Sequence, residues 1–469
     1  MRLKTHYRAY IDWEQLLLAP HLGYTVVTMN PRLKFAAAWV AGLVVAASQT
    51  LAADFFIHDG DRVVFLGDSI TEQRLYTTYI EAYALTRHPE WKLSFRNVGW
   101  GGDTAWLRQR SHPPEDKLFA AKDDAQQQMV EDSVGRGLAR DVLPLKPTVV
   151  TVKFGMNDHA YQTFRPDIFA AYTRSQTEIA KVLSKNGARV AFLTPQPIED
   201  KRPDPDKDNR NQSLRKFSDG LKEVAEAQHS QFADQFDPYM GVMLSARTTN
   251  AMALIGGGDA VHPGPAGHTI MAWAVMKALG ATALVSRAEI DVAAQKVSAA
   301  EACKVTNLKV DGTTISFDRL DDALPMPIDP KAESALKLAP ILSDLDRYEL
   351  QITGLTAGTY QVSIDDESAG ELSSSDLTVG WNLANAPGPI TKQAREVLRL
   401  VFEKNNIYFG RWRNVQLFTL PGWAQGPEAE KGRAAELAKL DQEVSDKEAK
   451  IEVARKPKTH HFVIKAVTK

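Results

Sequence analysis

The sequence predicts an α/β fold in which helices cover both faces of a doubly wound parallel sheet. From residue 61 onward, short apolar runs rich in β-branched residues alternate with longer segments of helical periodicity. The runs are apolar at consecutive positions, which is typical of strands buried on both faces. The chain is 44% hydrophobic and 24% charged, the balance of a globular protein with an ample core.

The apolar runs predict five strands, with helices between and after them. The strands are Arg62 to Leu66, Leu93 to Asn97, Thr148 to Phe154, Arg189 to Thr194 and Phe232 to Phe236. The helical segments lie near 71–87, 165–186, 210–229 and 265–279. The polar stretch 105–132 is long for a connection between strands, and we expect it to form a loop on the substrate side. Ligands of such sheets bind outside the carboxyl ends of the strands.

A different pattern follows the last of these helices. Segments such as "GTTISFD", "RYELQITGL" and "GTYQVSID" alternate apolar and polar residues between Gly and Asp turns. They predict a small antiparallel β module over residues 286–385, separate from an α/β domain over residues 54–285.

Residues 386–469 are expected to form an amphipathic helical hairpin and a C-terminal strand. Each helix has one apolar stripe, consisting of Ala394, Val397, Leu398, Val401 and Phe402 in the first and Leu437, Leu440, Val444 and Ile451 in the second. A coiled-coil surface for a partner is the alternative. The second stripe is short and Lys447 interrupts it, so we favour packing on the rest of the protein.

Residues 1–53 resemble an export signal. Arg32 and Lys34 precede an apolar run over 35–47, and small residues follow at Ala52 and Ala53. A retained membrane anchor is the alternative, but the run is too short to span a bilayer comfortably. We therefore expect an exported, periplasmic or secreted protein with no stable membrane insertion after cleavage, and its true start at Met29.

The formal net charge of -2 and the pI of about 6.6 give no basic field that would attract nucleic acid. We expect no nucleic-acid partner. The oligomeric state stays open at this stage.

The first chemical motif is Gly67-Asp68-Ser69-Ile70-Thr71, which follows the first strand and opens a helix. In this position the Ser69 hydroxyl faces the crevice, and its backbone N–H lies at the positive end of the helix dipole. Ser69 is thus a candidate nucleophile. The alternative is an ordinary N-cap serine.

Two further motifs follow the second and third strands. "NVGWGGDTAW" contains Gly99, Gly101 and Gly102, whose backbone can approach a ligand closely with its N–H groups exposed. "FGMNDHA" places Asn157 as an amide donor at the same edge. As alternatives, the glycines form only a turn and the Asn157 amide satisfies local backbone.

The fourth motif, "GGGDAVHPGPAGH", follows the fifth strand and places Asp259 three residues before His262. This spacing lets the Asp259 carboxylate hold one imidazole nitrogen while the other accepts a proton. The alternative for His262 is a loop histidine bonded to backbone. His268 lies within the next helical pattern, so we interpret it as structural.

Together the motifs supply a nucleophile with its base and orienter (Ser69, His262, Asp259) and three oxyanion donors, the N–H groups of Ser69 and Gly102 and the amide of Asn157. Their order and composition resemble the four blocks of the SGNH (GDSL-type) hydrolases, with Ile70 in place of the usual Leu. The resemblance covers about residues 55–285. It implies a three-layer, flavodoxin-like α/β/α esterase fold and a Ser-His-Asp acyl-enzyme mechanism.

Several bacterial members of this family that carry extra β domains are carbohydrate esterases. The resemblance therefore suggests that this protein removes O-acetyl groups from a polysaccharide or oligosaccharide. Candidate substrate-binding residues are the motif neighbours Asp68, Trp100, Asp103, Trp106 and Asp158. Alternatives are a lipase, lysophospholipase or general small-ester hydrolase, and a non-catalytic glycan-binding protein that uses Trp381, Trp412 and Trp423. No metalloprotease motif or cysteine cluster is present, so we expect neither metal nor cofactor.

Overall fold

The described part of the chain is residues 54–467 of a computed structural model. The segment predicted as an export signal, residues 1–53, lies outside the described residues, as do the last two residues. Within residues 54–467, no helix is long and apolar enough to cross a membrane.

A five-stranded parallel sheet with the order β2-β1-β3-β4-β5 forms the centre of the N-terminal half. Its strands are β1 (Arg62–Gly67), β2 (Ser94–Asn97), β3 (Val149–Lys153), β4 (Arg189–Leu193) and β5 (Gln231–Ala233). All five predicted strands are present, so the predicted fold class is confirmed. The prediction for β5 extended too far, because Phe236 already begins a helix.

Nine helices of this half connect and cover the strands within the described residues. They are α1 (Ser69–Glu72), α2 (Leu75–Arg87), α3 (Arg108–Ser111), α4 (Glu115–Ala120), α5 (Asp123–Asp141), α6 (Pro166–Lys185), α7 (Asn209–Ala227), α8 (Phe236–Thr249) and α9 (Pro265–Ala278). The loop predicted over 105–132 is wrong, since α3, α4 and the start of α5 occupy it. Buried Val130, Val134 and Leu138 place an apolar stripe of α5 against the sheet.

The side chains of β1 show why its residues are apolar at consecutive positions. Val63 and Phe65 pack in one core cluster with residues of α2 and α9. Val64 and Leu66 pack in a second cluster with residues of α5 and α6. The strand is therefore buried on both faces, and its polar chemistry can begin only where the strand ends.

Two further sheets follow in the C-terminal half. One has the order β13-β10-β6-β7 and the other β12-β11-β14-β9-β8. Their strands are β6 (Leu284–Asp291), β7 (Lys296–Glu301), β8 (Cys303–Asp311), β9 (Thr314–Asp321), β10 (Arg347–Thr353), β11 (Thr359–Ile364), β12 (Glu367–Ser373), β13 (Trp381–Asn382) and β14 (His460–Ala466). The prediction of a purely antiparallel module is wrong in one respect, because β6 pairs with β10 in parallel.

The C-terminal helices form the predicted hairpin. After the short helices α10 (Ile341–Leu345) and α11 (Ser374–Val379) come α12 (Pro389–Gly410) and α13 (Pro427–Ala454). Lys447 of α13, the residue that interrupts the apolar stripe, donates to Glu403 of α12 at 2.5 Å. Buried Lys404 and Asn405 of α12 bond to Glu81 and Thr78 of α2. The hairpin therefore packs on the rest of the protein, which is the alternative that the sequence favoured. The residue limits set for the domains stay a prediction.

Candidate active site

Ser69 lies on a sharp turn between β1 and α1. Asp68 caps α1 by accepting the N–H of Ile70 at 3.0 Å, so the Ser69 hydroxyl is not used as a cap. A Cβ at Gly67 would lie 2.2 Å from Thr71 Oγ1, which explains the glycine before the pair. Among the described residues, the Ser69 N–H has no hydrogen-bond acceptor. The turn therefore presents both a hydroxyl and a free N–H at the sheet edge.

The glycine-rich segment after β2 packs directly against this turn. A Cβ at Gly99 would lie 2.3 Å from the backbone nitrogen of Glu72, so only glycine lets α1 approach so closely. Trp100 N–H donates to the Gly67 carbonyl at 2.9 Å. Gly102 has φ +76°, a conformation that favours glycine, and its N–H has no acceptor among the described residues. The segment thus supplies a second free N–H beside Ser69.

The side-chain amide of Asn157 is held at the same corner by two bonds. Its Nδ2 donates to the Asp103 carbonyl at 2.9 Å, and its Oδ1 accepts from the Tyr161 hydroxyl at 3.1 Å. These bonds define which end of the amide is nitrogen and leave one amide hydrogen without an acceptor among residues 54–467. Asp103 directly follows Gly102, so the amide lies beside the glycine segment.

His262 contacts both Ser69 and Asp259. Its Nε2 lies 2.9 Å from Ser69 Oγ, and its Nδ1 lies 3.1 Å from Asp259 Oδ2. Asp259 Oδ1 also accepts the N–H groups of Val261 at 2.8 Å and His262 at 2.7 Å. Partial burial raises the pKa of the Asp259 carboxyl, but these N–H groups and the imidazole lower it more, so its pKa lies below the usual value. A charged carboxylate here favours the tautomer with the proton on Nδ1, which leaves Nε2 able to accept the Ser69 proton.

The His262 loop is held by Glu199, a residue that sequence reasoning missed. Glu199 Oε1 accepts the N–H of Ile255 at 2.5 Å, and Oε2 accepts the N–H of Gly256 at 2.7 Å. The hydroxyl of Tyr239 donates to Oε2 at 3.2 Å. Burial raises the pKa of the Glu199 carboxyl. The position of Glu199 shortly after β4, at the same sheet edge as the other motifs, was the signal available in the sequence.

Three acidic residues predicted to bind substrate are instead buried structural groups. Asp68 caps α1 and is 0% exposed. Asp103 is equally buried and pairs with Arg110 at 2.8 Å. Asp158 accepts the N–H groups of Ala105 and Gly155, each at 2.8 Å. These predictions are wrong because the three carboxyl groups are buried, where backbone N–H groups and an arginine bind them. Of their six oxygens, only Asp68 Oδ2 has no hydrogen-bond partner among residues 54–467.

The tryptophans near the site differ in their surroundings. Trp106 is 1% exposed, and its indole N–H donates to Glu115 at 2.6 Å, so its predicted contact with substrate is wrong. Trp412, considered for a glycan-binding surface, is also buried and packs edge-on against Trp100. Trp100 remains partly exposed. Trp423 is exposed in the connection between α12 and α13, and Trp381 is partly buried.

His268 is a structural residue, as predicted. Its Nδ1 accepts the N–H of Tyr76 at 3.2 Å, and its Nε2 lies 2.9 Å from Gln73 Oε1. Burial lowers its pKa to about 3, so the ring is neutral. Among residues 54–467, no group of three or more His, Cys, Asp or Glu side chains is arranged to hold a metal ion.

The fold and the site define the class of protein. A parallel sheet covered by helices carries, at one edge, a hydroxyl, an imidazole and a carboxylate in hydrogen-bond contact, an arrangement suited to hydrolysis. Residues 65–270 match the model of the GDSL-like lipase/acylhydrolase family, so they carry a GDSL-like lipase/acylhydrolase domain. The protein is thus an ester-bond hydrolase.

Two similar proteins extend the comparison. An acetylxylan esterase of Geobacillus stearothermophilus is 28% identical over 235 residues, which are 48% of this chain and 96% of the relative. The alignment with the solved structure of a gut microbial diltiazem-metabolizing enzyme covers 88% of this chain and 98% of that enzyme's chain, with a TM-score of 0.71 and 24% sequence identity. This second likeness shows that the fold of the C-terminal half also has a counterpart.

Proposed function

We propose that this protein removes O-acetyl groups from a polysaccharide or oligosaccharide, with Ser69 as nucleophile, His262 as base and Asp259 as its orienting carboxylate. The observation that carries this proposal is the contact of His262 Nε2 with Ser69 Oγ at 2.9 Å, while Nδ1 faces Asp259 at 3.1 Å. A serine hydroxyl is a weak nucleophile at neutral pH and needs such a base.

In the proposed reaction, His262 Nε2 takes the Ser69 proton as Oγ attacks the acyl carbon. The oxyanion accepts hydrogen bonds from the N–H groups of Ser69 and Gly102 and from the Asn157 amide. The imidazolium, stabilised by Asp259, then protonates the leaving sugar oxygen as its bond to the acyl carbon breaks. Water attacks the acyl-enzyme with the same assistance and releases acetate and the free Ser69 hydroxyl.

Two observations support a carbohydrate substrate. The family domain is similar to an acetylxylan esterase over nearly the whole length of that protein. A cleft of about 620 Å³ begins at Tyr161, whose hydroxyl bonds to Asn157. Its lining is almost entirely polar: Tyr161, Gln162, Thr163, Arg202, Pro203, Asp204, Lys207, Asp208, Asn209 and Arg210. Such a lining suits a hydroxyl-rich ligand better than an acyl chain.

We also propose that the protein acts outside the cytoplasm, which rests on the signal-like pattern of residues 1–53. Fractionation of the native host's cells, with an antibody against the mature chain, tests this. Finding the protein in the cytoplasmic fraction with residues 30–53 still attached would contradict it.

Replacement of the nucleophile tests the mechanism. Ser69→Ala should lower kcat for p-nitrophenyl acetate by at least about 1000-fold with the fold unchanged, because acyl transfer to Oγ is lost. Ser184→Ala, an exposed serine of α6, is the matched control and should keep full activity. Retention of most activity by Ser69→Ala would disprove the assignment.

A substrate panel tests the specificity. We expect acetate release from acetylated xylo-oligosaccharides, measured by an enzymatic acetate assay, and weaker hydrolysis of p-nitrophenyl esters as the acyl chain lengthens. Cleavage restricted to long-chain esters would contradict the carbohydrate proposal while leaving the Ser69 mechanism intact.

A further inference from the structure

The C-terminal hairpin contacts the glycine-rich segment of the active site through Arg413 and Trp412. The guanidinium of Arg413 lies 3.9 Å from the centre of the Trp100 ring, and its Nη2 lies 3.5 Å from Glu72 Oε1. The Arg413 and Glu72 side chains are each 23% exposed. Buried Trp412 packs edge-on against the same indole at 5.8 Å.

Glu72 connects this arginine to the proposed oxyanion donors. The second carboxylate oxygen of Glu72, Oε2, accepts the N–H of Gly101 at 2.8 Å. Gly101 is adjacent to Gly102, and a Cβ built on it would lie 3.9 Å from the Ser69 Cβ. The guanidinium thus faces the carboxylate that holds the segment carrying the Gly102 N–H.

The last turns of α12 also contact the segment that follows α1. Arg74, directly after α1 and Gln73, bonds to Asn406 at 3.2 Å, and its guanidinium lies 4.0 Å from the centre of the Phe409 ring. The same Arg74 donates to the Glu72 carbonyl at 2.5 Å. The Glu72 carbonyl is therefore connected to the hairpin through Arg74, and the Glu72 carboxylate faces Arg413 of the hairpin directly.

The backbone conformation of residues 411–416 explains why neighbouring side chains contact different parts of the protein. Residues Arg411–Gln416 form a π-helical turn directly after α12, a rare conformation that is frequent at functional sites. Arg411 faces α13 and bonds to Asp441 at 2.7 Å, whereas Trp412 and Arg413 face Trp100. The two arginines of this turn therefore contact different parts of the protein.

We propose that Arg413 is a positioning residue for the glycine-rich segment that carries the Gly102 N–H, and that it acts through Glu72 and Trp100. The C-terminal hairpin then contributes to catalysis by holding an oxyanion donor in place. This inference rests on the proposed function, because it assigns a role to the Gly102 N–H. Misplacing that donor by a fraction of an ångström weakens bonds that form in the transition state more than those to bound substrate.

The test compares Arg413→Met with Arg411→Met, the matched control on the same turn. Arg413→Met should lower kcat for p-nitrophenyl acetate about tenfold with KM changed less than about twofold, because one oxyanion donor is displaced without being removed. Arg411→Met should keep kcat within about twofold. Arg413→Lys retains a charge near Glu72 and should recover part of kcat.

Thermal melting curves of all variants show whether they fold. If Arg413→Met does not fold, the kcat of Arg413→Lys is compared with that of Arg411→Met instead. Equal losses of kcat in the two methionine variants, or full activity of Arg413→Met, would overturn the inference. An inactive wild type, or an active Ser69→Ala, would mean instead that the proposed function itself is wrong.

Discussion

At the scale of single residues, two histidines six positions apart have contrasting surroundings. The side chain of His262 is 36% exposed and lies between Ser69 and Asp259. His268 is fully buried within α9, where its two nitrogens bond to Tyr76 and Gln73. Burial of a histidine disfavours its charged form, so His268 remains a neutral linker between α9 and the start of α2.

The buried histidine makes stability depend on pH. Its pKa of about 3 in the folded state lies below the value of about 6.5 expected when unfolded, so the unfolded state gains a proton first as the pH falls. Its contribution is complete above about pH 6.5 and is lost progressively toward pH 3, by about 2 kcal/mol between pH 7 and pH 5.

His268→Gln should therefore show a smaller decrease in the free energy of unfolding between pH 7 and pH 5 than the wild type, measured by urea denaturation. Glutamine does not titrate, which removes this term. His229→Gln, at an exposed position, is the control. Parallel pH dependences of wild type and His268→Gln would contradict the prediction.

At the scale of elements, the loop before α9 shows how backbone packing positions a reactive side chain. Gly256 and Gly258 each lie against other parts of the loop or against Tyr239 and Glu199, where a side chain has no room. Glu199 ties the start of this loop by two N–H bonds, and Asp259 ties its end. The imidazole of His262 is thus oriented by the backbone contacts of its loop in addition to the Asp259 carboxylate.

Gly258→Ala tests this arrangement. Its Cβ would lie 2.0 Å from the His262 carbonyl oxygen, so the His262 backbone must move and kcat should fall about 100-fold. Gly241→Ala in α8 has no atom within 4 Å of the new Cβ and should leave kcat unchanged while adding about 0.5–1 kcal/mol of stability. A kcat of Gly258→Ala within twofold of wild type, with p-nitrophenyl acetate, would show that the loop tolerates the shift.

At the scale of the whole molecule, a buried ion pair joins the two halves of the chain. Lys404 of α12 donates to Glu81 of α2, and both side chains are nearly inaccessible. Asn405 donates to the other Glu81 oxygen at 2.9 Å and to Thr78 at 3.0 Å. Removing one member would leave an uncompensated charge in the interior, which costs far more than an exposed pair contributes.

Lys404→Met should accordingly lower the free energy of unfolding by about 3–5 kcal/mol in urea denaturation, because the Glu81 carboxylate loses its cation. The double variant Glu81→Gln with Lys404→Met should recover a large part of that loss. Lys392→Met, which removes an exposed pair with Glu367, should cost less than about 1 kcal/mol. A loss no larger for Lys404→Met than for Lys392→Met would refute the importance of the buried pair.

Much of the fold and the centre of the site could be predicted from local sequence. Consecutive apolar residues marked the strands, and the glycines at 67 and 99 marked turns where backbones approach closely. The Asp259–His262 spacing indicated their contact because a separation of three positions within one loop can bring the two side chains together. Helix α5 was missed because its apolar stripe is sparse among polar residues.

The sequence by itself determined the alternation of strands and helices and the four motifs at the strand ends, because periodicity and turn geometry act over a few neighbouring residues. Only the tertiary structure decided that Asp68, Asp103 and Asp158 are buried while Asp259 is exposed, and that Arg413 faces Glu72. Burial and pairing depend on which distant segments pack together, and that information is not present in any local pattern.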